Sequence, residues 1–284
     1  MSAKILDGKM LSAKIKDELK QEVENLKKDG IIPSLAVIIV GDDPASKIYV
    51  KNKKLACEYC GIKSLEYALP AETSQEELLA LIDKLNNDNS VSGILCQLPL
   101  PKGLDEEAVI NAISPKKDVD AFHPVNVGKI MVGNFDFLPC TPAGVMELIA
   151  LSGIEVKGKK CAVIGRSNIV GKPMSMLLLH QHGTVTICHS KTADLKAEVS
   201  QADIVVAAVG VPELITGDMI KEGAVVIDVG MNRLPDGKLT GDVEYESCVV
   251  RASAITPVPG GVGPMTIAML MKNTVKAALL NKTK

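Results

Sequence analysis

The chain has 284 residues, a hydrophobic content of 46% and a net charge of −2, which suits one large or two medium domains and excludes a general attraction to polyanions. With four Tyr, three Phe and no Trp, it lacks the aromatic platform on which single-stranded nucleic acid stacks. The N-terminus MSAKILDGKM has no apolar signal region, and no apolar run approaches the roughly 18 residues that span a bilayer. We therefore expect a cytoplasmic protein that binds neither nucleic acid nor membrane.

The first half of the chain alternates helical and extended patterns. Apolar residues at helical spacing predict a helix over 7–29, and three short apolar runs predict strands over 34–41, 62–69 and 92–101. Thr73 and Glu76 have the spacing of a capping box and predict a further helix to about residue 86. This alternation indicates a parallel α/β layer.

A basic segment, SKIYVKNKK, lies within a helix predicted over 44–60, which Asp43 caps and Gly61 ends. At about 100° per residue, one narrow arc of this helix holds three lysines, namely Lys47, Lys51 and Lys54. Lys53 lies off that arc, one turn after Tyr49. Position alone leaves two interpretations of Lys53: a lysine snorkelling at the edge of the core, or a partly desolvated amine that transfers protons.

The second half repeats the alternation after an irregular segment over 115–134, which is the best candidate for a domain boundary. Thr141 and Pro142 predict a helix start by the cap and first-turn rules. Four apolar runs then predict strands over 159–165, 184–190, 202–210 and 224–230. A closing helix is predicted over 264–282.

The first strand of this half runs into the turn Gly165–Gly171, GRSNIVG. A dinucleotide site needs such a turn, followed by a helix whose N-terminus faces phosphate. Ser167 replaces the middle Gly of the usual GxGxxG, so an ordinary strand-to-helix turn remains an alternative. The second strand ends in residues 189–192, HSKT, which include no carboxylate for a ribose hydroxyl, whereas Arg166 could reach a 2′-phosphate. These features favour NADP over NAD.

The seven cysteines include one CxxC pair, Cys57 and Cys60, within the predicted helix 44–60. No second pair and no histidine stand at zinc-finger spacing, so we expect reduced thiols and no metal site. The four histidines have no evident Ser or Cys partner, which does not favour nucleophilic catalysis.

Six motifs together carry a family resemblance: GDDPASKIYVKNK, GILCQLPLP, KDVDAFHPVNVG, VIGRSNIVGKP, CHSKT and PVPGGVGPMT. The chain resembles the bifunctional methylenetetrahydrofolate dehydrogenase/cyclohydrolases of the FolD type over essentially its whole length. The resemblance implies two α/β domains with an interdomain cleft: a folate-binding catalytic domain over 1–140, to which a closing helix over 265–284 returns, and a Rossmann-like NADP-binding domain over 141–264. It also implies a homodimer.

The same resemblance implies roles for single residues. Lys53 matches the catalytic lysine, which acts as a general acid–base. Tyr49 matches the tyrosine that stacks on the folate rings, and Gln97 the glutamine that hydrogen-bonds the lysine. Asp120 matches the aspartate that holds the pterin and completes the catalytic set. Without the resemblance, Gln97 would be a polar strand cap and Asp120 a turn former.

Further matches concern the cofactor and a loop over the folate. Gly165, Arg166 and Ser167 match the phosphate turn, and Ser190 a residue near the adenosine 2′-phosphate. Met231 stands where the family usually has Ile or Val and would keep an apolar contact with the cofactor. The loop match is carried by three residues: Pro259, Gly260 and Gly263.

The implied reaction has two steps. Oxidation of 5,10-methylenetetrahydrofolate by NADP⁺ gives 5,10-methenyltetrahydrofolate, and hydrolysis of that product gives 10-formyltetrahydrofolate. Three alternatives remain from the sequence: a dehydrogenase without hydrolysis, a non-catalytic NADP-binding sensor, and a dehydrogenase acting on shikimate or an amino acid.

Overall fold

The structure is a computed structural model that describes residues 3–282. Its helices are α1 (Gly8–Lys28), α2 (Pro44–Cys60), α3 (Gln75–Asn87), α4 (Glu106–Ala112), α5 (Pro124–Val132), α6 (Cys140–Ser152), α7 (Gly171–His180), α8 (Leu195–Val199), α9 (Tyr245–Val249) and α10 (Val262–Lys282). Its strands are β1 (Lys4–Ile5), β2 (Ser34–Val40), β3 (Lys63–Leu69), β4 (Gly93–Cys96), β5 (Lys160–Ile164), β6 (Thr184–Cys188), β7 (Ile204–Ala207), β8 (Val225–Asp228), β9 (Asn232–Arg233), β10 (Leu239–Thr240) and β11 (Ala254–Ile255).

The chain divides into two compact units. The three-stranded unit comprises residues 13–129, 134–140 and 267–282. The six-stranded unit comprises residues 3–12, 130–133 and 141–266. Each unit is built on a parallel sheet, which confirms the predicted fold class of two α/β domains. The domain limits at 140 and 264 stay a prediction.

In the three-stranded unit, β2 is the central strand of the order β3-β2-β4. All seven of its residues are buried because neighbouring strands flank both of its edges and helices cover its faces. Its parallel pairing starts at Ser34↔Lys63 on β3 and at Leu35↔Gly93 on β4. The carboxyl ends of the three strands therefore meet at one edge of the sheet.

Helix α2 has the predicted ends. The side chain of Asp43 accepts the backbone N–H of Ser46 at 2.7 Å, and Gly61 ends the helix in the left-handed conformation. The cap on α3 differs from the prediction by one residue, because the capping box joins Ser74 and Glu77. Thr73 instead donates its hydroxyl to the carbonyl of Pro70 at 2.7 Å.

Two other predictions about the boundary region are wrong. The segment predicted to be irregular contains α5, and its buried Asn126 anchors that helix by donating to the carbonyl of Pro115 at 2.9 Å. Helix α6 begins at Cys140 rather than after a Thr141 cap. The hydroxyl of Thr141 lies 3.0 Å from that of Thr266 instead of capping the helix. In both helices a side chain of the first turn therefore contacts a residue distant in the sequence.

The six-stranded unit has the strand order β1-β11-β8-β7-β5-β6. Strand β5 lies between β6 and β7, as in Rossmann-like sheets, where the chain crosses over at the first strand. The four predicted strands are present in shorter form. The two-residue strands β1 and β11 and the β9–β10 hairpin carry too little apolar periodicity for the sequence to predict them.

Among residues 3–282, no helix combines the length and the apolar character needed to cross a membrane.

Candidate active site

Lys53 is the one member of the basic segment that turns inward. Its side chain is half-buried, and its ammonium donates to Oε1 of Gln97 at 2.9 Å. The arc of three lysines is exposed, as the helical wheel predicts: Lys47 pairs with Asp42 at 2.6 Å, Lys54 pairs with Glu66 at 2.9 Å, and Lys51 faces solvent. The structure therefore separates a solvated stripe from a single lysine that faces the sheet edge.

Gln97 stands directly after β4, at the carboxyl edge of the three-stranded sheet. Its backbone N–H donates to the carbonyl of Ile38 at 2.8 Å, which continues the ladder one residue beyond the strand. Its amide Nε2 donates to the carbonyl of Leu98 at 2.6 Å. This bond fixes the plane of the amide so that Oε1 is presented to the ammonium of Lys53.

Asp120 reaches the same edge from a segment that runs beside β4. The N–H of Ile94 donates to the carbonyl of Lys117 at 2.7 Å, and Ile94 pairs with Asp118 in a parallel bridge. Burial raises the pKa of Asp120 above its ordinary value, and the positive charge of Lys53 opposes that rise. The structure thus brings together Lys53, Gln97 and Asp120.

Tyr49 precedes Lys53 by one turn of α2 and is 40% exposed. Side chains at i and i+4 lie on the same face of a helix. The phenol ring therefore stands beside Lys53 with part of its surface open to solvent, as a platform for a flat ligand requires.

Cys140 is a member of the site to which the sequence assigned no role. Its Sγ lies 3.6 Å from Oδ1 of Asp120 and 3.5 Å from the carbonyl of Val119. Burial raises the pKa of this thiol well above its ordinary value, so the group stays protonated and can donate to the carboxylate. Twenty residues separate Cys140 from Asp120, and no local pattern signals such a contact.

Asp118 takes the structural role that the sequence offered as an alternative for Asp120. It is buried and accepts the N–H of His123 at 2.8 Å, the N–H of Phe122 at 3.3 Å and the Nδ2 amide of Asn126 at 2.8 Å. Burial raises its pKa, and these hydrogen bonds oppose the rise. Asp118 therefore holds the loop, which leaves the carboxylate of Asp120 available to a ligand.

The predicted phosphate turn joins β5 to α7 in the six-stranded unit. Gly165 has a φ of 121°, and a Cβ there would overlap the carbonyl oxygen of Ala208, so only glycine fits. The hydroxyl of Ser167 accepts the N–H groups of Val170 at 3.1 Å and Gly171 at 3.3 Å. Ser167 thus orders the turn at the N-terminus of α7, where an anion is favoured.

Arg166 and Ser190 lie at the same distance beyond the ends of two adjacent strands, β5 and β6. Ile164 of β5 pairs with Cys188 of β6, and each candidate residue lies two positions beyond its member of that pair. Both side chains are exposed. A guanidinium and a hydroxyl at these positions can bind a 2′-phosphate. Residues 189–192 include no carboxylate to bind a free ribose hydroxyl.

The predicted folate loop also lies in the six-stranded unit. The carbonyl of Gly260 accepts the N–H of Lys9 at 3.1 Å, and Pro259 precedes it in the same turn. A Cβ on Gly263 would lie 3.2 Å from Cε of Met231, which is 43% exposed. The structure therefore groups these three loop residues with Met231 and assigns Lys53, Gln97 and Asp120 to the other unit.

Among the residues that the structure describes, no three His, Cys, Asp or Glu side chains are grouped so as to hold a metal ion.

One parallel, Rossmann-like sheet has a glycine-bearing turn at its carboxyl edge. The other sheet carries the lysine, glutamine and aspartate described above. These features define a two-domain α/β enzyme with a dinucleotide-binding domain. Two family models match almost all of the chain: the catalytic domain of tetrahydrofolate dehydrogenase/cyclohydrolase over residues 6–120, and the NAD(P)-binding domain of the same enzymes over residues 139–282. The chain belongs to the tetrahydrofolate dehydrogenase/cyclohydrolase family, and it is an enzyme of the bifunctional FolD type.

Individual relatives agree with this membership over their full lengths. The bifunctional protein FolD of Acetivibrio thermocellus is 70% identical over 280 residues, which cover 99% of this chain and 98% of the relative. The crystal structure of the bifunctional enzyme FolD from Campylobacter jejuni is similar with a TM-score of 0.96 and 54% identity, covering 98% of this chain and 99% of that one. The Trypanosoma brucei FolD structure, complexed with NADP cofactor and inhibitor, has a TM-score of 0.96 and 40% identity, with complete coverage of both chains.

Proposed function

We propose that the protein oxidises 5,10-methylenetetrahydrofolate with NADP⁺ and hydrolyses the resulting 5,10-methenyltetrahydrofolate to 10-formyltetrahydrofolate, with Lys53 as the general acid–base of the hydrolysis. The observation that carries the role of Lys53 is its hydrogen bond to Gln97 at 2.9 Å, made by the one lysine of the segment that leaves the solvated stripe. Family membership supports the pair of reactions, and full-length similarity to FolD proteins supports their occurrence in one chain.

The residues of the six-stranded unit fit NADP. The turn at Gly165 leaves no room for a side chain, and Ser167 orders the start of α7. Arg166 and Ser190 are exposed just beyond paired strands and are proposed to supply a cation and a donor to the 2′-phosphate. When bound, NADP⁺ accepts a hydride from the bridge carbon of the substrate. The two nitrogens beside that carbon share the positive charge left behind, so the protein mainly has to align the folate.

Asp120 and Tyr49 are proposed to hold the folate for both steps. An ionised carboxylate accepts two hydrogen bonds, which matches the amino group and ring N–H of a pterin. The exposed face of Tyr49 offers a stacking surface one helical turn from Lys53. The proposed loop of Pro259, Gly260 and Gly263 would add backbone contacts to the folate, because glycine permits a close approach.

Hydrolysis requires proton transfers that the oxidation does not. Water adds to the bridge carbon, one of its protons is released, and the other moves to the ring nitrogen as the carbon–nitrogen bond breaks. Lys53 is proposed to carry protons at Nζ between these positions, and Gln97 keeps the ammonium pointed at them. Cys140 lies against Asp120 rather than against Lys53, which makes it a support for the pterin contact.

Replacing Lys53 with Met tests this assignment, since Met keeps an unbranched side chain of nearly the same length and removes the proton-carrying amine. We expect hydrolysis of supplied 5,10-methenyltetrahydrofolate to fall by about 10²- to 10⁴-fold, the usual contribution of general acid–base catalysis. The loss of methenyl absorbance, corrected for hydrolysis without enzyme, measures this rate. The matched control is Lys51→Met, which removes an exposed lysine of the same helix and should leave the rate unchanged.

Parallel assays with NADP⁺ and NAD⁺ test the rest of the proposal. Formation of NADPH from 5,10-methylenetetrahydrofolate without accumulation of the methenyl product supports both activities. NADPH with full accumulation of that product would leave only a dehydrogenase, and no reduction of either cofactor would favour a non-catalytic binder. Normal hydrolysis by the Lys53→Met variant would refute the role of Lys53.

We also propose that the protein is a cytoplasmic homodimer. Strand β3 is the outer strand of its sheet among the described residues, pairing with β2 on one side. An exposed strand edge can accept another chain. Light scattering during gel filtration tests this, and a monomeric mass at micromolar concentration would contradict it.

A further inference from the structure

Two buried aspartates in the six-stranded unit have no part in the proposed chemistry. Asp228 is the last residue of β8, and Asp242 follows β10; their exposed fractions are 3% and 0%. Buried carboxylates are costly unless hydrogen bonds satisfy them. Their partners therefore indicate what these residues hold in place.

Asp242 binds two loops at once. Its Oδ2 accepts the N–H of Val209 at 2.7 Å and the N–H of Gly210 at 3.0 Å, just beyond the end of β7. Its Oδ1 accepts the side-chain amide of Asn232 at 2.9 Å, where the segment after β8 enters β9. Charge-assisted hydrogen bonds of this kind are the strong ones in a protein interior.

Asp228 fixes the segment that carries Asp242. Its Oδ1 accepts the N–H groups of Gly230 and Asp242, both at 2.9 Å, and its Oδ2 accepts the N–H of Val243 at 3.0 Å. The two carboxylates fill the space that side chains at Gly230 and Gly241 would need, since a Cβ at either position would overlap a carboxylate oxygen. The pair and the two glycines therefore form one packed arrangement.

One of the two segments that Asp242 holds follows β7, the neighbour of β5, and the other follows β8, the next strand in the sheet. A Cβ on Gly165 would overlap the carbonyl of Ala208, so the residue directly before Val209 touches the phosphate turn. Met231, the proposed apolar contact of the cofactor, stands between Gly230 and Asn232, whose positions the two aspartates fix. In parallel sheets, ligands bind outside the carboxyl ends of the strands, which is where both loops lie.

We propose that Asp242 is a positioning residue for NADP: by holding residues 209–210 and Asn232, it sets the turn beside Gly165 and the orientation of Met231. This inference rests on the proposed function for the identity of the cofactor. Asp242 does not touch the ligand. It acts through the backbone N–H groups of Val209 and Gly210 and through the side-chain amide of Asn232.

The variant Asp242→Asn keeps the shape of the side chain but places an amide among donors, which disturbs at least one loop. We expect the Kd for NADPH, measured by its fluorescence, and the KM for NADP⁺ to rise about 10-fold. Hydrolysis of supplied methenyl substrate needs no cofactor and should stay within about twofold of wild type. The matched control is Asp236→Asn, an exposed turn aspartate in the same unit that accepts the N–H of Lys238 at 2.9 Å.

A swapped pair distinguishes positioning from general loss of structure. In the double variant Asn232→Asp/Asp242→Asn, residue 242 can accept from the 209–210 loop while its amide donates to residue 232. Because the new carboxylate cannot donate to the carbonyl of Gly241 as Asn232 does, we expect this double variant to recover part of the NADPH affinity that Asp242→Asn loses. The milder variant Asn232→Ala removes the hydrogen bonds of this amide to Asp242 and to the carbonyl of Gly241. It should raise the Kd about threefold and serves if Asp242→Asn does not fold.

Three results would overturn the inference: an unchanged NADPH Kd in Asp242→Asn or Asn232→Ala, an equal loss of cofactor binding and hydrolysis, or no recovery in the swapped pair. Wild-type enzyme is assayed in parallel. If wild type binds NADPH but reduces no NADP⁺ with the folate, the proposed function fails while the binding data still judge Asp242.

Discussion

The two sheet edges use carboxylates in opposite ways. At the edge of the six-stranded sheet, Asp228 and Asp242 are buried and each accepts three hydrogen bonds from the protein. At the edge of the three-stranded sheet, Asp120 is half-buried, and within residues 3–282 its hydrogen-bond donor is the thiol of Cys140. A thiol is a weak donor, so Asp120 retains most of its capacity for a ligand.

The two edges should therefore respond to different kinds of substitution. Where the protein itself satisfies a carboxylate, the backbone is held rigidly and a ligand meets fixed N–H groups and turns. Where the protein leaves capacity open, the side chain itself meets the ligand. Backbone changes should therefore damage the six-stranded edge most, whereas side-chain ionisation should control the three-stranded edge.

The largest expected effect comes from the backbone of the phosphate turn. Gly165→Ala forces a Cβ into the carbonyl of Ala208 at a φ of 121° and should cost about 3 kcal/mol of local stability, with loss of NADPH binding. Thermal unfolding and NADPH titration measure both. As a control, Gly128→Ala in α5 meets no atom within 4 Å and should leave NADPH binding unchanged. Normal NADPH affinity in the Gly165→Ala variant would show that the backbone of this turn does not control cofactor binding.

A smaller effect is expected from the exposed cation of the same edge. Arg166→Gln should lower kcat/KM for NADP⁺ about 10- to 100-fold and leave that for NAD⁺ nearly unchanged, because a hydrogen bond to a charged phosphate contributes about 1.5–3 kcal/mol. Steady-state rates with both cofactors provide the test. The control is Arg233→Gln, an exposed arginine of the β9–β10 hairpin that donates to Gly237 at 3.0 Å. Equal losses with NADP⁺ and NAD⁺ would contradict the 2′-phosphate assignment.

The smallest effect concerns ionisation at the three-stranded edge. Burial raises the pKa of Asp120 above its ordinary value of 3.8, so on acidification this carboxylate takes up a proton at a higher pH than an exposed aspartate does. The protonated form loses acceptor capacity, and the KM for the folate should rise a few-fold as the pH falls toward that pKa. The Asp120→Asn variant should show a raised KM that lacks this dependence. Identical pH profiles for the two enzymes would argue against a pterin contact.

The sequence predicted the helix ends and the exposed helix face of α2 correctly because the residues that determine them are close together in the chain. Asp43 and Gly61 fix the ends of α2 by short-range hydrogen bonds, and the helical period alone separates Lys53 from the solvated lysines. The roles of Gln97 and Asp120 came from family resemblance, since neither residue has a local pattern that distinguishes it from a cap or turn former.

The features that the sequence did not reveal are side-chain contacts between residues far apart in the chain. Cys140 meets Asp120 across 20 positions, and Asp242 meets Val209 across 33. Asn126, in the first turn of α5, donates to both Pro115 and Asp118. No propensity or period encodes such pairings, because each becomes visible only when the sheet has brought its two segments together.

The seven cysteines have a practical consequence for experiments on this enzyme. All seven are free and buried, and burial raises the pKa of each thiol, to about 12 for Cys57 and Cys96. Since the thiolate is the reactive species, maleimide dyes should leave the folded chain almost unlabelled at neutral pH. A single cysteine introduced at exposed Glu72 could then carry one fluorophore without removal of any native cysteine.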